Sequence, residues 1–306
     1  VLEDGGRIAG FFPYELRHRV VGKPIGYGIS DCQGMVHEPG LDWDPMALLR
    51  ACRLPVWEFD HLMADQAPFA PYHAQRATSP IMDLSGGYSA YVEGRMRAGD
   101  VVRQALRKQR AMVRDLGPER FVWDDRDPPA LAALRAWKSA QYARTQQYDR
   151  FHTPWIDRVL RDLAERPGPG CRVVVSTVYA GDRPVAAHLG LCSDSVLAYW
   201  FPAYDPDAAK YSAGVLLCLR MAEAAAGIGV GHVDLGKSYA LYKERLSDTS
   251  LPVAEGRVGR SRSVTAARRA QSALSRSVRS GRIGAALRSG GTGRFLRGVR
   301  AKIAGR

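Results

Sequence analysis

The chain has 306 residues, 46% of them hydrophobic, and a formal charge of +13, which is apolar material for one or two globular cores. Its five cysteines are odd in number and widely spaced without a C-x-x-C pair, and its seven histidines are scattered; this argues for a reducing compartment and against a disulfide framework or a metal site. No apolar run approaches the ~20 residues of a membrane span.

In chain order, residues 1–80 read as strands and loops around one helix, Pro45 to Cys52. Arg7 to His18 and Val20 to Tyr27 are expected to pair, and Val56 to Phe59 forms another strand. The chain opens on Val1 within an apparent strand, so its first element is expected to lack its start. A stretch punctuated by Pro68, Pro71 and Pro80 then leads to a long helix near Gly87 to Leu116, whose Arg103, Arg107, Lys108, Arg110 and Arg114 form a solvated or phosphate-contacting face.

From Pro118 the pattern sharpens. Phe121 to Trp123 is a short strand. Pro128 to Gln146 and Pro154 to Arg166 are helices, the second starting after Thr153 with proline at its first position. Arg172 to Tyr179, Pro184 to Cys192 and Val196 to Phe201 are three strands, the first two joined by a hairpin at Ala180-Gly181-Asp182-Arg183. A helix follows from Ser212 to Ala226, then a strand at His232, a short helix at Tyr239 to Leu246 and a last strand at Leu251 to Val258.

The strand at His232 lies inside Gly231-His232-Val233-Asp234-Leu235-Gly236-Lys237-Ser238, which fits the phosphate-loop spelling G-x-x-x-x-G-K-[ST]. That motif requires a strand, then a flexible glycine-rich loop, then a helix. In this chain a helix comes first and the interior reads as strand, so a nucleoside triphosphatase is disfavoured. From Arg257 onward fourteen residues are basic and none is acidic; +13 minus this +14 leaves −1 for the body. The Arg-rich tail, 259–306, reads as a solvated appendage or as a weak amphipathic helix for an anionic membrane surface or an acidic partner. Its few aromatics make nucleic acid a lesser candidate.

The order β-α-α-β-β-β-α-β-α-β from residue 118 matches the acyl-CoA N-acyltransferase (GNAT) fold. That fold implies pantetheine between splayed strands near Tyr199 and Trp200, and a pyrophosphate at the helix start Lys210-Tyr211-Ser212-Ala213-Gly214, where free N–H groups and the helix dipole favour an anion.

Several segments carry a closer resemblance. Trp137-Lys138-Ser139-Ala140-Gln141-Tyr142, Tyr199-Trp200-Phe201-Pro202-Ala203-Tyr204-Asp205-Pro206, Lys210 to Gly214, and Asp234-Leu235-Gly236-Lys237 with Tyr242-Lys243 resemble the CelD-like acetyltransferases. That family is associated with cellulose and exopolysaccharide biosynthesis, and its double-GNAT architecture is similar to that of the FemAB peptidoglycan aminoacyltransferases. The resemblance spans residues 1 to about 258. It implies an α/β (α+β) fold of tandem GNAT-like domains with mixed central sheets. A partial first repeat, truncated at its N-terminus, would occupy 1–80, a connecting helix region 81–117, the second GNAT-like domain 118–258 and the tail 259–306. One departure stands out: where family members carry Gly-Asp-Glu-Pro, this chain has Ser238-Tyr239-Ala240-Leu241.

The implied chemistry is attack of an amine or hydroxyl on an acyl-CoA thioester, with acetyl-CoA the first choice of co-substrate and no metal. A backbone N–H near Tyr199 or Trp200 would polarise the carbonyl. Tyr242 or Tyr239 would protonate the departing thiolate, and His188 or Asp234 would serve as base. Trp137, Gln141, Tyr142, Lys237 and Lys243 are the candidate acceptor-binding residues. The expected acceptor is a polysaccharide precursor, sugar or related cell-envelope molecule, and the expected location is cytoplasmic or peripheral at the inner membrane face. Two alternatives stay open: an aminoacyl-tRNA-dependent FemAB-type transferase, and a non-catalytic partner of a polysaccharide synthase.

Overall fold

The computed structural model describes residues 1–17, 20–26, 28–165, 168, 170–237 and 240–260. Among the described residues two compact units emerge, one of residues 1–77 together with 252–260, the other Thr78–Leu251.

The elements are β1 (Leu2–Asp4), β2 (Arg7–Phe11), β3 (Tyr14–Arg17), β4 (Val21–Pro24), β5 (Val36–His37), α1 (Pro45–Ala51), β6 (Val56–Met63) and β7 (His73–Asp83). Next come α2 (Gly87–Ala98), α3 (Val101–Leu116), β8 (Glu119–Val122), α4 (Pro128–Arg144), α5 (Pro154–Glu165), β9 (Cys171–Ala180), β10 (Arg183–Ser193) and β11 (Val196–Tyr204). The last are α6 (Ala213–Gly227), β12 (His232–Asp234), α7 (Leu241–Leu246) and β13 (Thr249–Gly259).

In the first unit β1, β2 and β5 form a small antiparallel sheet. A second, mixed sheet pairs β3 with β4, β4 in parallel with β6, and β6 with β13. Trp57 is fully buried there among Phe12, Phe59 and Phe69, with ring centroids about 5 Å away for each. The strand expected to close the second repeat therefore lies in the first unit instead: Val253 to Gly259 pair with Met63 to Val56. Period-two patterning identifies a strand but not its partner.

The second unit is built on the order β7-β12-β11-β10-β9-β8. β12 runs parallel to β11, and the remaining pairs are antiparallel. Gly181 takes φ 58 in the two-residue turn joining β9 to β10, a conformation that costs glycine little. β9 is buried at successive positions from Val173 to Ala180, as expected for a strand covered on both faces. Val174, Val178, Leu197 and Tyr199 share a core with α2, α3 and α6, whereas Leu134 of α4 and Ile156 and Leu160 of α5 are buried outside that core. Helix α6 buries Leu216, Leu217, Cys218, Leu219 and Met221, so it is apolar nearly all round.

Two sequence expectations change here. The long helix of 87–116 is two helices, because the chain is extended at Gly99 (φ −177, ψ −164). The proline-punctuated stretch holds the eleven-residue strand β7, which carries Pro80 within it. Proline normally demotes a strand reading; the Pro80 carbonyl still accepts from the Leu235 N–H at 3.0 Å.

Candidate active site

β11 and β12 pair over three positions only, Val196 with His232, Leu197 with Val233 and Ala198 with Asp234. β12 then ends, while β11 continues to Tyr204. The two strands part at this point, leaving a gap between parallel neighbours. On its other side β11 bulges against β10: Leu191 pairs with Ala198 and Leu189 with Phe201, so Tyr199 and Trp200 together face Gly190. A bulge of this kind leaves ladder groups unpaired and re-aims them. Tyr199 and Trp200, the positions expected to receive the thioester, occupy the bulge at the mouth of the gap.

Beyond β11, Pro206–Tyr211 forms a 3-10 turn and Ser212 adopts a left-handed conformation (φ 57, ψ 40) that opens α6. A non-glycine residue there is strained. The Ser212 carbonyl accepts from the N–H groups of Val215 and Leu216, and its hydroxyl accepts from Lys108 Nζ at 2.8 Å. Tyr211 is buried and donates its hydroxyl to Asp115 at 2.9 Å, pinning the turn to α3. Lys210 is exposed, with Nζ 4.8 Å from the Tyr211 ring. Ala213 and Gly214 keep the first turn of α6 small; a Cβ on Gly214 would come 3.2 Å from Tyr204 Cδ1. Two lysines and a slim helix start fit the phosphates of a nucleotide thioester. Lys108 reaches this helix start from α3, whose basic face the sequence left as solvated or phosphate-contacting.

Polar side chains are buried or half-buried around β11, α6 and α7. Tyr199 hydrogen-bonds Cys218 of α6, and burial raises the pKa of both, Cys218 to about 12. Tyr242 of α7 packs against the same core, and burial first, then Cys218 and Tyr204, raise its phenol. Tyr242 therefore stays protonated, the form an acid for a departing thiolate must have. Lys243 is buried and donates to the Gly236 carbonyl at 2.9 Å.

The expected bases fare differently. Asp234 is buried and its Oδ1 accepts from both the Ser79 hydroxyl and the Gly236 N–H, so it ties β12 to β7 and to the following turn. His188 is fully buried, stacked on Tyr199 at 4.9 Å, with the Ala198 backbone as the polar group against its ring. Burial pulls its pKa down to about 3, so it is neutral near pH 7 and a poor proton acceptor. The physical reason is the one that makes a lone histidine in an apolar strand a core residue.

Because the unfolded histidine protonates near 6.5 and the folded one near 3, acid favours the unfolded chain between those values. Stability contributed by the neutral His188 is thus fully present above pH 6.5 and falls as pH drops toward 3. His188→Leu is expected to remove about 2 kcal/mol of the stability lost between pH 7 and pH 5, read from urea midpoints at each pH. Equal acid sensitivity in both proteins would refute this.

On α4, Ala130, Leu134, Lys138 and Tyr142 form the buried stripe, and Trp137 and Gln141 flank it half-buried. Burial raises the Tyr142 phenol to about 12. Lys138 was not singled out from the sequence, although spacing of four from Ala130 to Tyr142 places it on the inner face. Its Nζ donates to the Pro202 carbonyl at 3.0 Å. Lys237 follows β12 and is half-buried; Ser238 and Tyr239 lie outside the described residues, as does the chain from 261. The phosphate-loop spelling fails on geometry, since β12 fills its interior and the next helix starts only at Leu241 after an extended Ala240.

Residues 101–244 match the family model described as an acetyltransferase (GNAT) domain. The domain is a GNAT-type acyltransferase. Solved structures with the same fold include the C-terminal domain of a protein described as a lysylphosphatidylglycerol synthetase from Agrobacterium fabrum. It is 11% identical over 87% of this chain and 85% of that one, with a TM-score of 0.57. FemX is 9% identical over 84% and 85%, with a TM-score of 0.54. A conserved protein of unknown function from Bacteroides thetaiotaomicron is 10% identical over 77% and 78%, with a TM-score of 0.50. No curated protein matches the chain. The matched span holds the bulge of β11, the start of α6 and Tyr242.

Proposed function

We propose that the protein transfers an acyl group, with acetyl the first choice, from acyl-CoA to an amine or hydroxyl of a sugar, polysaccharide precursor or related cell-envelope acceptor. The observation that carries this reading is the parting of β11 from β12 beside the Tyr199–Trp200 bulge, one turn before the small, lysine-flanked start of α6. Acyl thioester enters the gap, its carbonyl faces the bulge backbone, and its phosphates meet Ser212 to Gly214. Tyr242 supplies the proton to the leaving thiolate. Lys237, Lys243, Trp137, Gln141 and Tyr142 bind the acceptor. The CelD-like resemblance supports the sugar or polysaccharide acceptor, and the tail supports attachment to an anionic membrane surface or an acidic partner. No described helix is long and apolar enough to cross a membrane.

Titration calorimetry with acetyl-CoA tests this. Binding in the micromolar range is expected, with Tyr242→Phe retaining affinity but losing acyl transfer by ~100-fold. Absence of binding to acetyl-CoA and to longer acyl-CoAs would overturn it.

A second reading, transfer from aminoacyl-tRNA, draws on α3. Arg103, Arg107, Arg110 and Arg114 are all exposed and spaced along one side of that helix. Aminoacyl-tRNA binding that weakens steeply with salt, without acyl-CoA binding, would favour it.

A further inference from the structure

We propose that Lys138 is the general base that takes the proton from the attacking acceptor. The inference rests on the acyl-transfer reading and adds to it the group that reading lacks. His188 and Asp234, the bases expected from the sequence, are respectively too acidic when protonated and already engaged.

Position comes first. Lys138 projects from the buried stripe of α4, and its Nζ lies 3.0 Å from the Pro202 carbonyl, two residues past the bulge and on the stretch of β11 that has left β12. Lys243 reaches the other lip, with its Nζ 2.9 Å from the Gly236 carbonyl, two residues past the end of β12. One amine therefore stands at each edge of the gap, approaching from different helices.

Charge comes second. The contacts of Lys138 are the Pro202 carbonyl and the Tyr142 ring at 5.4 Å, and no carboxylate forms an ion pair with it among the described residues. The other titratable groups facing it are His188 of β10, which is neutral, and Lys243 of α7, which repels it. A buried cation with a like-charged neighbour and no anion sheds its proton readily. Burial first, and Lys243 second, bring Lys138 down to about 8. In the neutral form one N–H still holds Pro202 and the lone pair is open to a proton.

The step balances. The acceptor's nitrogen or oxygen lone pair attacks the thioester carbonyl carbon and forms the new C–N or C–O bond, while its proton passes to Lys138 Nζ. The C–S bond then breaks, its electron pair leaves on sulfur, and the thiolate takes the Tyr242 hydroxyl proton. The surplus proton on Lys138 returns through solvent to the Tyr242 phenolate, and both groups are restored.

The test uses the whole chain labelled with carbon-13 at lysine Cε, the Lys138 resonance being the one lost in Lys138→Arg. Its titration midpoint is expected near 8, against about 10.4 for an ordinary lysine. In parallel, thiol release from acetyl-CoA with water as acceptor should rise with pH to a plateau, with its midpoint at that same value. Lys138→Arg, fixed in the charged form, and Lys138→Met, which keeps the buried stem without the amine, should both be about 100-fold slower and lack that rise. Both should bind acetyl-CoA within twofold of the parent. An ordinary lysine midpoint, or an unchanged pH profile in the variants, would overturn the assignment. Failure of the parent to bind acetyl-CoA would overturn the acyl-CoA reading, and the base with it.

Discussion

Gly190→Ala is expected to destabilise the GNAT domain by about 3 kcal/mol, at the upper end of overpacking effects. An added Cβ would lie 2.1 Å from the Ala198 carbonyl oxygen and 2.4 Å from His188 Nε2. The carbonyl belongs to β11 at its last position paired with β12, so it cannot retreat without opening the ladder at the bulge. His188 is fully buried against Tyr199 and has no room to swing. The same displacement moves the backbone of Tyr199 and Trp200, so acetyl-CoA turnover should fall further than the loss of folded protein explains. Chemical denaturation should show a lower midpoint with an unchanged slope. Gly227→Ala, where a Cβ meets nothing within 4 Å at the end of α6, serves as the control. It should be neutral or more stable by roughly 0.5 kcal/mol. A Gly190→Ala protein as stable as the parent would show that the bulge adjusts freely.

Gly214→Asp is expected to weaken acetyl-CoA binding by at least about 100-fold, close to 3 kcal/mol, while leaving the fold as stable as before or slightly more so. The two effects have opposite signs for one reason. Gly214 is in the first turn of α6, where a carboxylate complements the helix dipole and glycine is a poor helix former. The same negative charge occupies the space offered to the phosphates. The nearest atom to an added Cβ is Tyr204 Cδ1 at 3.2 Å, the edge of a 44% exposed side chain that can turn away. Calorimetry with acetyl-CoA and a thermal melt separate the two effects. Unchanged affinity would place the phosphates elsewhere, and a large loss of stability would refute the expected tolerance of a side chain at the start of α6.

Much of the GNAT domain was legible because its strands and helices are strongly patterned. The runs around Val173 to Tyr179 and Val185 to Leu191 are too apolar for anything but covered strands, and Thr153-Pro154 marks a helix start. The start of α6 was legible for a similar reason, since small residues after Lys210-Tyr211 follow directly on a strand and a turn. β7 was not, because Pro80 breaks the local signal while the neighbouring strand supplies the pairing. Lys138 was missed because a lysine on a buried stripe reads as an error in the pattern rather than as a member of it. His188 was overvalued, since a sequence carries no measure of the burial that strips it of basicity.

The phosphate-loop spelling shows where the two kinds of information divide. Residue order alone fixed that a helix precedes Gly231 and that Val233 and Leu235 alternate as in a strand, and this sufficed to disfavour a triphosphate cradle. Composition likewise placed the excess positive charge in the tail. Tertiary structure decided the rest. The parallel pairing of β12 with β11 stops after three residues, and that stop creates the gap. The last strand, which looked like the close of the second repeat, pairs with β6. Lys138 and Lys243, 105 positions apart in the chain, meet the two edges of the same gap. Local patterns record which face of an element is apolar; which strands part, and which charges then face each other, depends on contacts between residues that the chain order keeps far apart.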